Sequence, residues 1–341
     1  MFTLNNFTPI NNKFAIAPKY NSYTPLTKNN KYPNLAPLKQ DTVSFGRSEK
    51  DITSTKFGIS LPEANKLHQD SQGAKLYLEK QLSSILGDSV SQEPNDHKSI
   101  QEIAYRVKTP KSIREKSMSR RCLDPDETKK VLTDIVGARI IMKDSSTASV
   151  DNVIKRLAEA ERDNKLKIIE IENYRPEPEV DDEGNIIKSY DYSSPNALRK
   201  LKKVIEQSGT MISKKDEDIP TGYMAIHLLT KLPNGFTGEI QILGTDIADL
   251  KEVEDLCYKV KSGKSIDKKY ESIKKILKPL TNKDDLLLRR EFNKYTRNAY
   301  IYQREMPPDS SSETMFLPIP KYLPQELDFN NIYKLMRECD K

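Results

Sequence analysis

The residue types best suited to chemistry fall in three stretches of the 341-residue chain. The first is TGYMAIHLLTKLPNGFTGEIQIL, Thr221 to Leu243. Two alternating runs, Tyr223–Thr230 and Glu239–Leu243, flank a loop holding Pro233, Asn234 and Gly235, and this spacing predicts a β-hairpin. Strand side chains alternate between faces. Tyr223, Ala225 and His227 therefore share a face opposed to Met224, Ile226 and Leu228, and Glu239 and Gln241 oppose Ile240 and Ile242. With the apolar sets over a core, an aromatic, an imidazole, a carboxylate and an amide share one polar face, which marks a candidate site. The same alternation also describes an ordinary half-buried hairpin with its polar face in solvent.

The second stretch is cationic. Ile100–Lys108 reads as a strand with Ile103, Tyr105 and Val107 on one face and Ala104, Arg106 and Lys108 on the other. Pro110 opens a helix, PKSIREKSMSRR, in which Ser112 and Lys116 share a face. Cations leaving a strand and entering a helix suit a grip on polyphosphate, and they equally suit a solvated basic face. The third stretch is DIVGARIIM, Asp134 to Met142. Its apolar run reads as a strand buried on both faces, interrupted by Gly137 and Arg139. Buried charge is costly unless paired, so Asp134 and Arg139 each call for a partner or ligand.

The elements that must hold these stretches can be read in order. Leu61–Leu86 is helical, with Leu67, Leu76, Leu78, Leu82 and Ile85 as core contacts and Gly73 as a break. Asp126–Leu132 is a short helix. Thr147–Arg162 is an amphipathic helix buried through Val150, Val153, Ile154, Leu157 and Ala158. Lys167–Glu172 is a strand, Pro176–Asn185 a polar loop, Asn196–Gln207 a basic helix, and Lys214–Pro220 a charged linker. After the hairpin come helices over Asp246–Val260, Lys268–Leu280, Asp284–Tyr302 and Phe329–Cys339. Residues 1–48, rich in Asn, Pro, Lys, Thr and Tyr, read as a disordered leader.

Composition removes several classes. The chain is 36% hydrophobic and 31% charged, and no apolar run reaches the ~18 residues of a membrane span. Cys122, Cys257 and Cys339 lie far apart without CxxC spacing, so neither a disulfide framework nor a zinc site is implied and a cytoplasmic location is expected. The net charge of +6 is compatible with phosphate-bearing ligands without requiring them.

In motif order the chain resembles the synthetase domain of the RelA/SpoT alarmone family. Arg106-Val107-Lys108 followed by Ser112-Ile113-Arg114-Glu115-Lys116 matches R-x-K…SIxxK, and Asp134–Arg139 matches D-(I/L)-x-G-x-R. Gly222–His227 and Glu239–Ile242 match G-Y-x-S-x-H and E-x-Q-I. The likeness covers roughly residues 98–265, and the C-terminal helices are in keeping with single-domain members, including a toxic branch. It implies an α/β fold: a nucleotidyltransferase-like mixed, largely antiparallel sheet flanked by helices, with a helical C-terminal extension. The corresponding division is a synthetase domain over 55–280 and an extension over 281–341.

The resemblance implies an ATP-dependent pyrophosphokinase. The β,γ-diphosphate of ATP would pass to the 3′-hydroxyl of a guanosine nucleotide, with Mg2+ on the phosphates. Asp134 and Glu239 match the acidic pair, Asp134 as magnesium ligand and Glu239 as second ligand or base. Arg106, Lys108, Ser112, Lys116 and Arg139 match the ATP side, and Tyr223, His227 and Gln241 the acceptor side. With only three histidines and no His-Asp pair, alarmone hydrolysis is not expected. Ile219-Pro220-Thr221 stands where the family has Lys-Pro-Asn, Ala225 replaces its serine, and Leu243 replaces its arginine. These departures keep open an acceptor at the 3′ end of tRNA or an adenosine nucleotide, and a module that binds nucleotide without catalysis. The further partners the resemblance brings are an antitoxin protein and copies of the chain itself in a homo-oligomer; no membrane is involved.

Overall fold

A capping box opens the described chain. Ser60 accepts from the Glu63 amide while the Glu63 carboxylate accepts from the Ser60 amide, which satisfies donors that a helix start leaves unpaired. From there α1 (Leu61–Leu86) runs without interruption through Gly73. Glycine costs a helix interior about 1 kcal/mol relative to alanine. Burial of Leu67, Leu78 and Leu82 on one stripe offsets this at roughly 1.5–3 kcal/mol each. That stripe leaves Leu76 on the outer face at 56% exposure, so it is not the core contact expected. The structure, a computed structural model, describes residues 57–93, 97–143, 146–176, 178–181, 183–188, 191–210, 213–219, 222–264, 266–282, 284–305 and 316–339. The expected leader at 1–48 lies outside them.

The elements that follow are β1 (Ile100–Val107), α2 (Pro110–Ser119), α3 (Pro125–Val131), β2 (Val136–Met142), α4 (Thr147–Arg162) and β3 (Ile168–Pro176). Next come β4 (Glu179–Val180), β5 (Ile186–Lys188), α5 (Pro195–Gln207), β6 (Ser213–Ile219), β7 (Ala225–Lys231) and β8 (Thr237–Gly244). Four helices close the chain: α6 (Thr245–Lys261), α7 (Glu271–Ile276), α8 (Leu286–Glu305) and α9 (Phe329–Cys339). Six strands form one sheet in the order β1-β2-β8-β7-β3-β6. The β2–β8 and β3–β6 pairs are parallel and the other three antiparallel, which is the mixed, largely antiparallel sheet expected.

Apolar side chains cover both faces of this sheet, but unequally. On one face α1, α4 and α5 bury Leu78, Val153, Leu157 and Leu201 against Ile140, Ile226, Leu228, Ile240 and Ile242. The α4 stripe is the expected one, since Val150, Val153, Ile154, Leu157 and Ala158 are all buried. On the other face the C-terminal helices bury Leu250, Val253, Phe292, Tyr300 and Phe329 against Tyr223, Ala225 and Leu243. That second layer covers only one end of its face and leaves the polar residues at the other. Thr55–Lys341 forms a single compact unit that includes the segment expected as an extension from 281.

Three local expectations differ from the structure. Lys214–Pro220 is no linker: Ser213–Ile219 is an edge strand whose backbone pairs with Glu170–Pro176. An edge strand is held by backbone pairing and needs no apolar run. Within the polar insertion, Glu179–Val180 pairs with Ile186–Lys188 as a small hairpin. The helix expected over Lys268–Leu280 is split into a 3-10 turn at Lys268–Tyr270, α7, and a second turn at Lys278–Thr281. Pro279 has no amide to donate to a continuing helix.

Candidate active site

Strand register builds the site. Arg106 on β1 lies opposite Gly137 on β2, and Gly137 lies opposite Glu239 on β8. Two residues further along, Arg139 on β2 lies opposite Gln241 on β8, Gln241 opposite His227 on β7, and His227 opposite Glu172 on β3. Residues two apart share a face, so two adjacent polar rows cross the middle of the sheet on one side.

The rows are bonded to each other. Arg139 Nε donates to Gln241 Oε1 at 3.2 Å, and Gln241 Nε2 donates to Glu239 Oε2 at 2.8 Å. Arg106 stands 3.7 Å from the same Glu239 oxygen. His227 Nδ1 is 3.1 Å from Glu239 Oε1, and His227 Nε2 meets the Tyr223 hydroxyl at 3.1 Å. Burial alone would raise the pKa of Glu239; His227 and Arg106 beside it hold it below the usual carboxylate value. Gly137 makes room for this arrangement, because a Cβ there would lie 3.3 Å from Arg106 Nε.

Asp134 lies just before β2 and anchors a second cluster. Its Oδ2 accepts from Lys108 at 2.6 Å and from Lys116 at 2.5 Å. Burial opposes ionisation, but the two ammonium groups outweigh it and bring the pKa down to about 2. Burial, with Lys116 and Arg106 nearby, lowers Lys108 below the ordinary lysine value in spite of Asp134. Asp134 Oδ1 is buried without a hydrogen-bond partner. A hard anionic oxygen with no donor beside it fits a magnesium ligand.

A cavity of about 650 Å³ opens over the rows. Five of the expected residues line it: Arg106, Ser112, Arg139, Glu239 and Gln241. Lys108, Lys116 and Asp134 form their own triad, and His227 joins the cavity group through Glu239. Tyr223, matched by the resemblance to the acceptor side, is not among the residues lining the cavity. It is 8% exposed, edge-on to Tyr300 of α8 at 6.1 Å, and carries the Lys251 ammonium over its ring at 5.3 Å. Burial raises its hydroxyl pKa well above the ordinary tyrosine value.

Several site residues escape sequence reasoning. Glu172 closes the second row beside His227, and Tyr174 donates to its carboxylate at 2.9 Å. Reading Lys167–Glu172 as a strand gave Glu172 neither a face nor a partner. The far cavity wall comes from the C-terminal layer, through Asp255, Lys259, Asp267 and Tyr270. Among the described residues no helix is long and apolar enough to cross a membrane.

No sequence-family model and no curated protein matches the chain. Among solved structures it is similar to small alarmone synthetase 1 from Bacillus subtilis bound to its product pppGpp. The identity is 18% and the TM-score 0.37, over 68% of this chain and 98% of that one. It is similar to small alarmone synthetase 2 from Bacillus subtilis at 23% identity and TM-score 0.33, over 65% of this chain and 92% of that one. A GTP pyrophosphokinase family protein from Streptococcus pneumoniae matches at 19% identity and TM-score 0.33, over 70% and 95% of the two chains.

Proposed function

We propose that this chain is an ATP-dependent pyrophosphokinase that transfers the β,γ-diphosphate of ATP to the 3′-hydroxyl of a guanosine nucleotide. The observation that carries the reading is the pair of polar rows, which gathers Arg106, Arg139, Glu239 and Gln241 from three strands around one cavity. Diphosphate transfer needs positioned cations against spread oxyanion charge and a carboxylate toward the attacking hydroxyl. Arg106 and Arg139 supply guanidinium forks able to meet phosphate oxygens bidentately. Ser112, in the first turn of α2, adds a hydroxyl at the same wall. Lys108 and Lys116 hold the Asp134 carboxylate ionised. Glu239, kept ionised beside His227 and Arg106, accepts the hydroxyl proton. Asp134 and Glu239 would hold Mg2+, which when bound neutralises phosphate charge and fixes in-line geometry.

A second reading, in which the acceptor is an adenosine nucleotide or the 3′ end of tRNA, rests on a basic groove beside the cavity. A groove lined by Lys111, Lys264, Lys274, Lys275 and Lys278 adjoins the cavity through Lys111 and suits an extended phosphate backbone. One assay separates the two. The full chain, Mg2+ and γ-labelled ATP are offered GDP, GTP, AMP, ADP and deacylated tRNA in parallel. Label on GDP or GTP is the expected result. Label on tRNA or an adenosine nucleotide transfers the conclusion to the second reading. Label on no acceptor, with ATP bound, sinks both.

A further inference from the structure

Diphosphate transfer as proposed uses Glu239 but gives no reacting role to Glu172 or His227 of the second polar row beside it. Glu172, His227 and Glu239 sit on the adjacent strands β3, β7 and β8, and one donor atom from each lies within 4.8 Å of the other two. His227 Nδ1 is 3.1 Å from Glu239 Oε1 and 3.9 Å from Glu172 Oε2. The histidine is 8% exposed and its Nδ1 has no hydrogen bond, although it faces both carboxylates. If Nε2–H donates to the Tyr223 hydroxyl 3.1 Å away, the Nδ1 lone pair points into the acidic pair. Buried charge of one sign meeting a lone pair is costly unless a cation stands between them.

We propose that Glu172, His227 and Glu239 bind a divalent transition cation of the Mn2+ or Zn2+ class, through Nδ1 and one oxygen of each carboxylate. The spacing suits such an ion. Ligands ~2.1 Å from a tetrahedral centre stand about 3.4 Å apart, and the two measured separations from Nδ1 bracket that value. Ligand type sets the class: an imidazole beside two carboxylates suits first-row transition ions, whereas Mg2+ prefers an all-oxygen shell. Two carboxylates also balance a divalent charge that neutral imidazole leaves unchanged.

Each ligand has a second partner that fixes its orientation. Tyr223 meets the far nitrogen of His227, Tyr174 donates to Glu172 at 2.9 Å, and Gln241 donates to Glu239 at 2.8 Å. Such outer partners are what hold metal ligands in register. They also give the buried Tyr223 a role: its hydroxyl selects the His227 tautomer. The site shares Glu239 with the transfer reading but does not depend on it.

The test needs no nucleotide. The chelator-treated full chain is titrated with Co2+, followed by calorimetry and by the visible absorption of the bound ion. One equivalent should bind with an imidazole-type spectrum. His227→Gln and Glu172→Gln should each weaken binding at least about tenfold, and Tyr223→Phe by about tenfold. Asp134→Asn should leave cobalt affinity unchanged. The proposal is overturned if the unsubstituted chain binds no cobalt, if binding survives His227→Gln, or if it is lost in Asp134→Asn instead. Should His227→Gln fail to fold, full-strength binding in Glu172→Gln overturns it equally. A chain that binds cobalt here but transfers no diphosphate retains this site and loses the proposed activity; the converse result separates them the other way.

Discussion

Asp134 remains charged in a partly buried position only because two ammonium groups share one of its oxygens. Removing the carboxylate therefore leaves Lys108 and Lys116 facing each other. Asp134→Ala should cost roughly 1–3 kcal/mol, read as a lower urea midpoint, because a half-buried charge pair loses its acceptor. The same variant should lose at least about a hundredfold in transfer rate, and activity within about tenfold of the unsubstituted chain would remove Asp134 from the reaction. Gly137→Ala makes a narrower claim. The new methyl would meet Arg106 at 3.3 Å and push its guanidinium off the cavity wall. The KM for ATP should rise about tenfold with kcat nearly kept, and an unchanged KM would mean Arg106 does not hold the donor. The sequence marked Asp134 and Arg139 because charge inside an apolar run needs a partner. Gly137 was legible only as an interruption, since its purpose depends on a neighbouring strand. Glu172 carried no mark at all, because which residue faces it is decided by register across the ladder.

At the scale of elements, the same contrast separates α4 from β6. The α4 stripe follows a 3.6-residue period, so its buried face could be read directly. Strand β6 has no apolar pattern to read, and its place comes from backbone pairing at the sheet edge. The hairpin was legible as β7 and β8, but the cover on its Tyr223 end was not, because it is supplied by α8 from far along the chain. That cover has a pH signature. Burial raises the pKa values of Tyr223, Tyr295 and Tyr300 above the ordinary phenol value. Unfolded phenols ionise near pH ~10, so above that pH the unfolded chain binds fewer protons than the folded one. The contribution of these groups is fully present below pH ~10 and is lost as pH rises toward the raised folded values, at about 1.4 kcal/mol per pH unit for each phenol. Urea midpoints measured from pH 8 to 11 should hold steady and then fall, and Tyr300→Phe should make the fall shallower. A midpoint that stays level through the alkaline arm would show that these hydroxyls ionise freely in the folded chain.

For the whole molecule, the question is whether the C-terminal helices are an appendage or half of the fold. The sheet face beneath them answers in apolar area: Tyr223, Ala225 and Leu243 are buried in one cluster with Leu250, Phe292, Tyr300 and their neighbours. Gly222 shows how close the contact is, with φ +83 and space for a Cβ only 3.1 Å from the Tyr300 Cβ. The same layer supplies Asp255, Lys259, Asp267 and Tyr270 to the cavity wall, so site and core share one support. Deleting everything after Leu280 removes Phe292, Tyr295, Tyr300 and Phe329, each of which is buried. Burial of such side chains contributes roughly 1.5–3 kcal/mol apiece, and four of them together rival the 5–15 kcal/mol by which a domain is stable. A chain ending at Leu280 should therefore be aggregated or lack a cooperative unfolding transition, because the exposed sheet face has nothing else to cover it. If that shortened chain instead unfolds in one transition at an unchanged urea midpoint, the C-terminal helices are an extension after all. The cavity would then keep its far wall, because Asp255, Lys259, Asp267 and Tyr270 all precede the cut, and nucleotide affinity would survive the truncation together with the fold.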